Sequence, residues 1–81
     1  MSERPPYEVT FAPQAIRELE RFRALDVARL RRPILALAFE PRPVGATRVA
    51  GTDLWRIRVG DSRVIYRVDD DHRAVLIARI A

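Results

Sequence analysis

The stretch LWRIRVGDSRVIYRV, residues 54–68, alternates apolar and polar residues on both sides of a Gly60-Asp61 pair. Alternation with a period of two is typical of β-strands that bury one face. Glycine accepts the positive φ that a tight hairpin turn requires. The stretch therefore predicts an antiparallel hairpin with strands over Leu54–Val59 and Ser62–Val68.

The same alternation collects arginines on one face of this hairpin. Arg56 and Arg58 project from one side of the first strand, and Arg63 and Arg67 share a side of the second. Arg48 is expected to reach this face from a preceding strand. Guanidinium groups bind phosphate oxygens in bidentate fashion, so the face is a candidate phosphate-binding surface. The alternative interpretation is a charged strand face that only keeps the sheet soluble.

Helical patterns precede the hairpin. Pro13 suits the first position of a helix, and apolar residues follow at helical spacing towards an expected end near Arg23. Asp26 is the expected N-cap of a second helix. Pro33 removes one backbone hydrogen bond from that helix. Because the apolar stripe continues in phase across it, we expect one kinked helix, with a stripe of Val27, Leu30, Ile34, Leu37 and Ala38.

Further strands are predicted over Tyr7–Phe11, Thr47–Val49 and Ala74–Ile80, and the Pro and Gly content of Glu40–Gly45 indicates a loop. The predicted order is β-α-α-β-β-β-β. This order favours an α+β fold with two helices, both from the N-terminal half, on a mainly antiparallel sheet of four to five strands. We expect one domain over residues 1–81, with residues 1–6 frayed.

Composition excludes several classes of protein and of site. The chain has 81 residues, no Cys and one His, which leaves no disulfide framework, no Cys-based zinc site and no two-histidine metal site. Residues 1–6 lack the apolar core of a signal peptide, and no apolar run is long enough to cross a membrane. We therefore expect a cytoplasmic protein. All 15 basic residues are Arg, and the net charge of +4 fits a polyanionic partner.

Asp69-Asp70-Asp71-His72 forms the expected turn before the last strand. Adjacent carboxylates in a turn do not all point inward. We interpret this segment as a solvated turn rather than a cation site or a source of a catalytic base.

The stretch over residues 54–66 resembles the signature of the RelE/ParE toxin superfamily, which reads approximately L-Y-R-I-R-V-G-D-Y-R-V-I-Y. The strand at Tyr7–Phe11, the first helix and Pro41-Arg42-Pro43 match as well, so the resemblance extends from Tyr7 to Ala81. It implies the fold derived above, with two helices on a curved antiparallel sheet.

The resemblance also implies an activity. RelE-like members are toxins of type II toxin–antitoxin systems that enter the ribosomal A site and cut mRNA without metal or cofactor. The 2′-hydroxyl attacks the adjacent phosphate and leaves a 2′,3′-cyclic phosphate. By this resemblance the catalytic residues are Arg56, Arg58 and Arg63, and Arg48 contacts RNA. Arg67, which shares the predicted strand face, is the second expected RNA contact. The implied partners are the ribosome, mRNA and a cognate antitoxin with an acidic, amphipathic helical segment.

The sequence departs from the family pattern at two points. Members usually continue with a segment like H-R-x-x-x-Y, which supplies an Arg and a Tyr for cleavage, whereas this chain ends at Ala81. Some members also carry Lys on the central strand, where this chain has Arg, a poor general base. We therefore expect weak cleavage. Two alternatives stay open: a ParE-like inhibitor of DNA gyrase, and a degenerate module that only binds an antitoxin.

Overall fold

The computed structural model describes residues 5–81, so most of the predicted frayed start lies outside the described residues. The elements follow the predicted order, as β1 (Glu8–Phe11), α1 (Pro13–Leu19), α2 (Ala24–Ala36), β2 (Thr47–Arg48), β3 (Leu54–Val59), β4 (Ser62–Asp69) and β5 (Ala74–Ile80). The two helices pack on a mostly antiparallel five-stranded sheet, as predicted. No helix within residues 5–81 is long and apolar enough to cross a membrane.

The strands lie in the order β1-β5-β4-β3-β2. Hairpins join β3, β4 and β5 as antiparallel neighbours, whereas β1 pairs with β5 in parallel. The hairpin predicted from residues 54–68 is confirmed, and Gly60 in its turn has a φ of +60°. This arrangement puts β4 near the centre of the sheet.

The core lies between the helices and one face of the sheet. Val64 and Tyr66 of β4 are fully buried on that face, while Arg63 before them and Arg67 after them are exposed. Burying apolar surface supplies the main stabilisation of such a layered fold. The buried set is Ala15, Leu30, Ile34, Leu37, Ile57, Val64, Tyr66, Val75, Ile77 and Ile80.

Glu18 of α1 caps the part of β5 that β1 does not cover. The β1 pairing ends with Phe11 opposite Ile77, which leaves later backbone groups of β5 without a strand partner on that side. The backbone amide of Ile80 donates to Oε1 of Glu18 at 2.7 Å, and Nε of Arg79 donates to Oε2 at 2.8 Å. One carboxylate thereby ties α1 to the edge of the sheet.

The boundary between the helices differs from the prediction. Helix α1 ends at Leu19, and the prediction of Asp26 as the N-cap of α2 is wrong, because Arg23 has the extended backbone of that position. Asp26 lies in the first turn instead, 3.7 Å from Arg23 and 3.8 Å from Arg29. A carboxylate in the first turn interacts favourably with the positive end of the helix dipole. The predicted continuation of the helix through Pro33 is confirmed.

Candidate anion-binding cleft

Three of the predicted site arginines come together on the open face of the β3–β4 hairpin. Arg58 is directly opposite Arg63, and Arg56 is opposite Ile65. Directly opposed residues of an antiparallel pair project from the same face. All three arginines are exposed, on the side of the sheet away from the buried Val64.

These three side chains line a cleft of ≈ 230 Å³ together with Gly45 and Thr47. Within residues 5–81, no carboxylate lies within 4.0 Å of the guanidinium groups of Arg56, Arg58 or Arg63. At roughly 30 Å³ for a water molecule, the cleft has room for a phosphate group with some of its hydration. We call this site the arginine cleft.

The opposed charges of the arginine cleft are expected to lower the stability of the fold. Like charges placed directly opposite each other across two strands destabilise the pair, by about 0.2–1 kcal/mol. The packing of the core gains nothing from Arg58 and Arg63, since both side chains are exposed. An external anion is the ligand that would relieve this repulsion.

Arg67 shares the face but not the cleft. In the strand register it lies opposite Leu54, at the other end of β3 from Arg58. Its Nε lies 3.1 Å from Oδ2 of Asp53. Its charge is thus already matched by a carboxylate of the same protein.

The prediction that Arg48 reaches this face is wrong. In the register of β2 with β3, Arg48 is opposite Trp55 and Thr47 is opposite Arg56. Arg48 therefore leaves the sheet on the Trp55 side, where its guanidinium carbon is 5.5 Å from the centre of the Trp55 ring. Thr47 has the place in the cleft that the sequence interpretation gave to Arg48.

A polar cluster that sequence reasoning missed lies at the start of the β4–β5 turn. Asp70 accepts hydrogen bonds from Nη1 and Nη2 of Arg42 at 3.2 and 2.8 Å, and from the Tyr7 hydroxyl at 2.6 Å. The turn is exposed, as predicted, but Asp70 is engaged within it. Hydrogen bonds from Arg42 and then Tyr7 lower the pKa of the Asp70 carboxyl to about 2. The three residues are far apart in the sequence, so no short sequence pattern could have predicted their contact.

The rest of this turn offers little for catalysis. His72 Nδ1 lies 2.8 Å from Oδ2 of Asp69, and this hydrogen bond is the main cause of the lowered pKa of Asp69. His72 is not among the residues that line the arginine cleft. In the described part of the chain, no group of three or more His, Cys, Asp or Glu side chains could hold a metal ion.

An apolar groove of ≈ 490 Å³ runs between the helices and β1. Several apolar side chains on the helices stay solvent-exposed, including Leu35 at 50 % and Val27 at 37 %. Single exposed apolar residues are common, but a contiguous set marks an interaction surface. The groove is lined by Phe11, Leu19, Ala24, Val27, Ala28, Leu30, Arg31, Ile34 and Leu35.

Comparison with known proteins gives a family match over most of this chain. Residues 9–81 match the family model described as the ParE toxin of the type II toxin–antitoxin system parDE. No match was found among curated protein sequences.

Solved structures of toxin–antitoxin complexes also resemble this chain. A chain of the toxin–antitoxin complex RelBE2 from Mycobacterium tuberculosis is 30% identical, with 100% of this chain and 95% of that chain covered and a TM-score of 0.84. A chain of the archaeal RelE–RelB complex from Pyrococcus horikoshii is 27% identical over 93% and 92% of the two chains, with a TM-score of 0.79. The RelBE complex of E. coli, at 18% identity, covers 93% and 94% with a TM-score of 0.82 and shares the fold.

The family match over residues 9–81 agrees with the hairpin signature, the element order and the structural relatives. The chain therefore belongs to the RelE/ParE family and is a toxin of a type II toxin–antitoxin system.

Proposed function

We propose that this toxin is a ribosome-dependent mRNA endonuclease whose arginine cleft binds the scissile phosphate. The observation that supports the proposal is the convergence of Arg56, Arg58 and Arg63 on one small cleft without a carboxylate partner within residues 5–81. Planar guanidinium groups suit phosphate oxygens in number and geometry of donors.

The proposed reaction is an internal transfer at phosphorus. The 2′-oxygen bonds to the adjacent phosphorus, the bond from phosphorus to the 5′-oxygen breaks, and the products are a 2′,3′-cyclic phosphate and a 5′-hydroxyl. Negative charge builds on the phosphate oxygens in the transition state, where the cleft arginines donate. Each well-placed donor of this kind contributes about 10²–10³ in rate.

The arginines do not move the proton. An Arg side chain keeps its proton at every physiological pH, so it is a poor general base. In the proposal, water accepts the proton of the 2′-hydroxyl and supplies one to the leaving 5′-oxygen. Since a positioned acid or base typically adds about 10²–10⁴ in rate, we expect slow cleavage.

The proposed protein partner is a cognate antitoxin, because the structural relatives are toxin–antitoxin complexes. The apolar groove between the helices and β1 suits a helical segment with one apolar face. The net charge of +4, with Arg31 at the groove itself, favours acidic residues on the remainder of that segment.

A second candidate function is inhibition of DNA gyrase without nuclease activity. The family model that matches is that of the ParE toxin. In addition, the residues that line the cleft include no His, Asp, Glu, Lys or Tyr for proton transfer. A domain that only binds its antitoxin is the third candidate.

Two inhibition assays run in parallel test the proposal. The protein is added to a cell-free translation reaction and to a gyrase supercoiling reaction, alongside the double variant Arg58→Ala/Arg63→Ala. Arg32→Ala, at an exposed helix position outside the cleft, is the control for the loss of a single positive charge elsewhere. We expect translation to stop with the wild type and Arg32→Ala but to continue with the double variant. Inhibition of supercoiling alone would select gyrase, and inhibition of neither would select the binding module.

A further inference from the structure

The loop between α2 and β2 forms one wall of the arginine cleft. Gly45 and Thr47 lie against the cleft, and Gly45 has a φ of +96°, a conformation that glycine adopts without strain. A backbone hydrogen bond of 2.9 Å from Ala46 to Pro43 closes the turn that precedes β2. The position of this loop therefore sets the width of the cleft.

The start of the same loop is tied to the opposite end of the hairpin. The Tyr66 hydroxyl donates to the carbonyl oxygen of Pro41 at 2.6 Å, and burial raises the pKa of Tyr66 to about 12, so that this donor keeps its proton. The next residue, Arg42, makes the bidentate pair with Asp70, which Tyr7 also holds. The Arg42 guanidinium carbon lies 5.4 Å from the centre of the Trp55 ring.

We propose that Arg42 and Asp70 form a latch that positions the loop over residues 41–46, and with it the wall of the arginine cleft. The two side chains do not line the cleft, so they are positioning residues rather than ligands of the anion. The inference rests on the proposed function in one respect: it takes the cleft as the place where RNA phosphate binds.

Exposure of the pair distinguishes the latch from a purely structural contact. The side chains of Arg42 and Asp70 are 40% and 53% exposed. Exposed ion pairs contribute little to global stability. Releasing the loop lowers the fraction of molecules with a formed cleft, and the apparent affinity falls by that fraction.

Asp70→Ala and Asp71→Ala give a matched test. Both substitutions remove one negative charge from the same turn, and the Asp71 carboxylate makes no hydrogen bond or ion pair with any described residue. General electrostatics would make both variants bind RNA slightly more tightly. The latch predicts the opposite sign for Asp70→Ala, with binding weaker by up to about fivefold, the upper limit for losing an exposed ion pair.

The probe is a short single-stranded RNA labelled with fluorescein, measured by anisotropy on the full chain. Emission of Trp55, the one Trp in the sequence, is recorded in the same samples. Because Arg42 lies against that ring, we expect Asp70→Ala to change the emission and Asp71→Ala to leave it unchanged. Because unfolding would also change the emission, the comparison is made on samples in which circular dichroism shows both variants to be folded.

Arg42→Gln provides a second variant. The latch predicts weaker RNA binding for Arg42→Gln and no further loss in Arg42→Gln/Asp70→Ala, since either change releases the loop. If Arg42 instead touched RNA directly, Arg42→Gln would weaken binding while Asp70→Ala would not, and the latch would be wrong.

The control that separates this inference from the proposed function is Arg58→Ala/Arg63→Ala. If that variant loses RNA binding while Asp70→Ala behaves like Asp71→Ala, the latch is wrong and the proposed function stands. If RNA binding survives in the double variant, the proposed function is wrong, and the latch with it.

Discussion

Arg58 and Arg63 face each other directly across the β3–β4 hairpin, on the open side of the sheet. Their neighbour Arg56 lies two residues along the same strand face, and the three line one cleft. Repulsion between such opposed charges is a cost to folding. The repulsion therefore supports the proposal that the arginine cleft binds a negatively charged ligand.

Arg63→Ala should weaken binding of single-stranded RNA by about tenfold, because it removes a charge-assisted donor from the cleft. Arg67→Ala should change the affinity by less than about twofold, because Asp53 already pairs with Arg67 at 3.1 Å. Fluorescence anisotropy with labelled RNA measures both. Equal losses for the two variants would mean that the whole strand face, rather than the cleft, binds the nucleic acid.

Arg63→Thr should make the protein more stable, by about 0.2–1 kcal/mol, because it removes the repulsion from Arg58 and puts a β-branched residue in a strand. Urea denaturation gives the difference in free energy of unfolding. The gain should shrink in high salt, which screens exposed charges. A loss of stability would show that Arg63 contributes a favourable contact that its exposure does not suggest.

Glu18→Gln tests the contact between α1 and the edge of β5. Burial raises the pKa of Glu18, but the combined hydrogen bonds from the Ile80 amide, Gln14 and Arg79 outweigh it and lower the pKa. The stability that this depressed pKa contributes is complete above the unfolded-state pKa of about 4.3 and is lost as the pH falls through the folded-state value. The free energy of unfolding of the wild type should therefore exceed that of the variant by about 1–2 kcal/mol near neutral pH, and by progressively less below about pH 4.

Glu20→Gln is the control for this series, since the Glu20 side chain is exposed and makes no hydrogen bond within residues 5–81. Its stability should follow that of the wild type at each pH. A difference between wild type and Glu18→Gln that does not change with pH would contradict an ionised acceptor at this position.

Leu35→Glu should weaken binding of the cognate antitoxin by at least about tenfold, because it puts a negative charge into the apolar groove against an acidic partner. Leu35 is 50% exposed, so the thermal midpoint should change little. Leu25→Glu makes the same substitution at an exposed position of α2 outside the groove and should bind normally. Calorimetric titration with the antitoxin measures both affinities, and normal binding by Leu35→Glu would exclude the groove.

The sequence was sufficient for the hairpin and for the core of the arginine cleft. Alternation over residues 54–68 defines which side each residue takes, and the Gly60-Asp61 turn defines which residues are opposed. With both known, the proximity of Arg56, Arg58 and Arg63 follows from local geometry. The last strand, Ala74–Ile80, was predictable from its nearly continuous apolar residues.

The remaining features depend on contacts between distant segments. The face on which Arg48 lies depends on the register between β2 and β3, which the residues of a two-residue strand cannot specify. The sequence around Asp26 is typical of a helix N-cap, but the N-cap of α2 is Arg23, so Asp26 lies in the first turn of the helix. The joining of Tyr7, Arg42 and Asp70 results from the folded sheet and has no signal in any short window of sequence.

Primer-extension mapping of an mRNA in a reconstituted translation reaction tests the central claim most directly, which is that the arginine cleft acts on the mRNA backbone at the ribosome. We predict cuts within ribosome-bound codons for the wild type and for Arg32→Ala, and their loss in Arg58→Ala/Arg63→Ala. Absence of cuts by the wild type on actively translating ribosomes, or cuts that survive in the double variant, would contradict it.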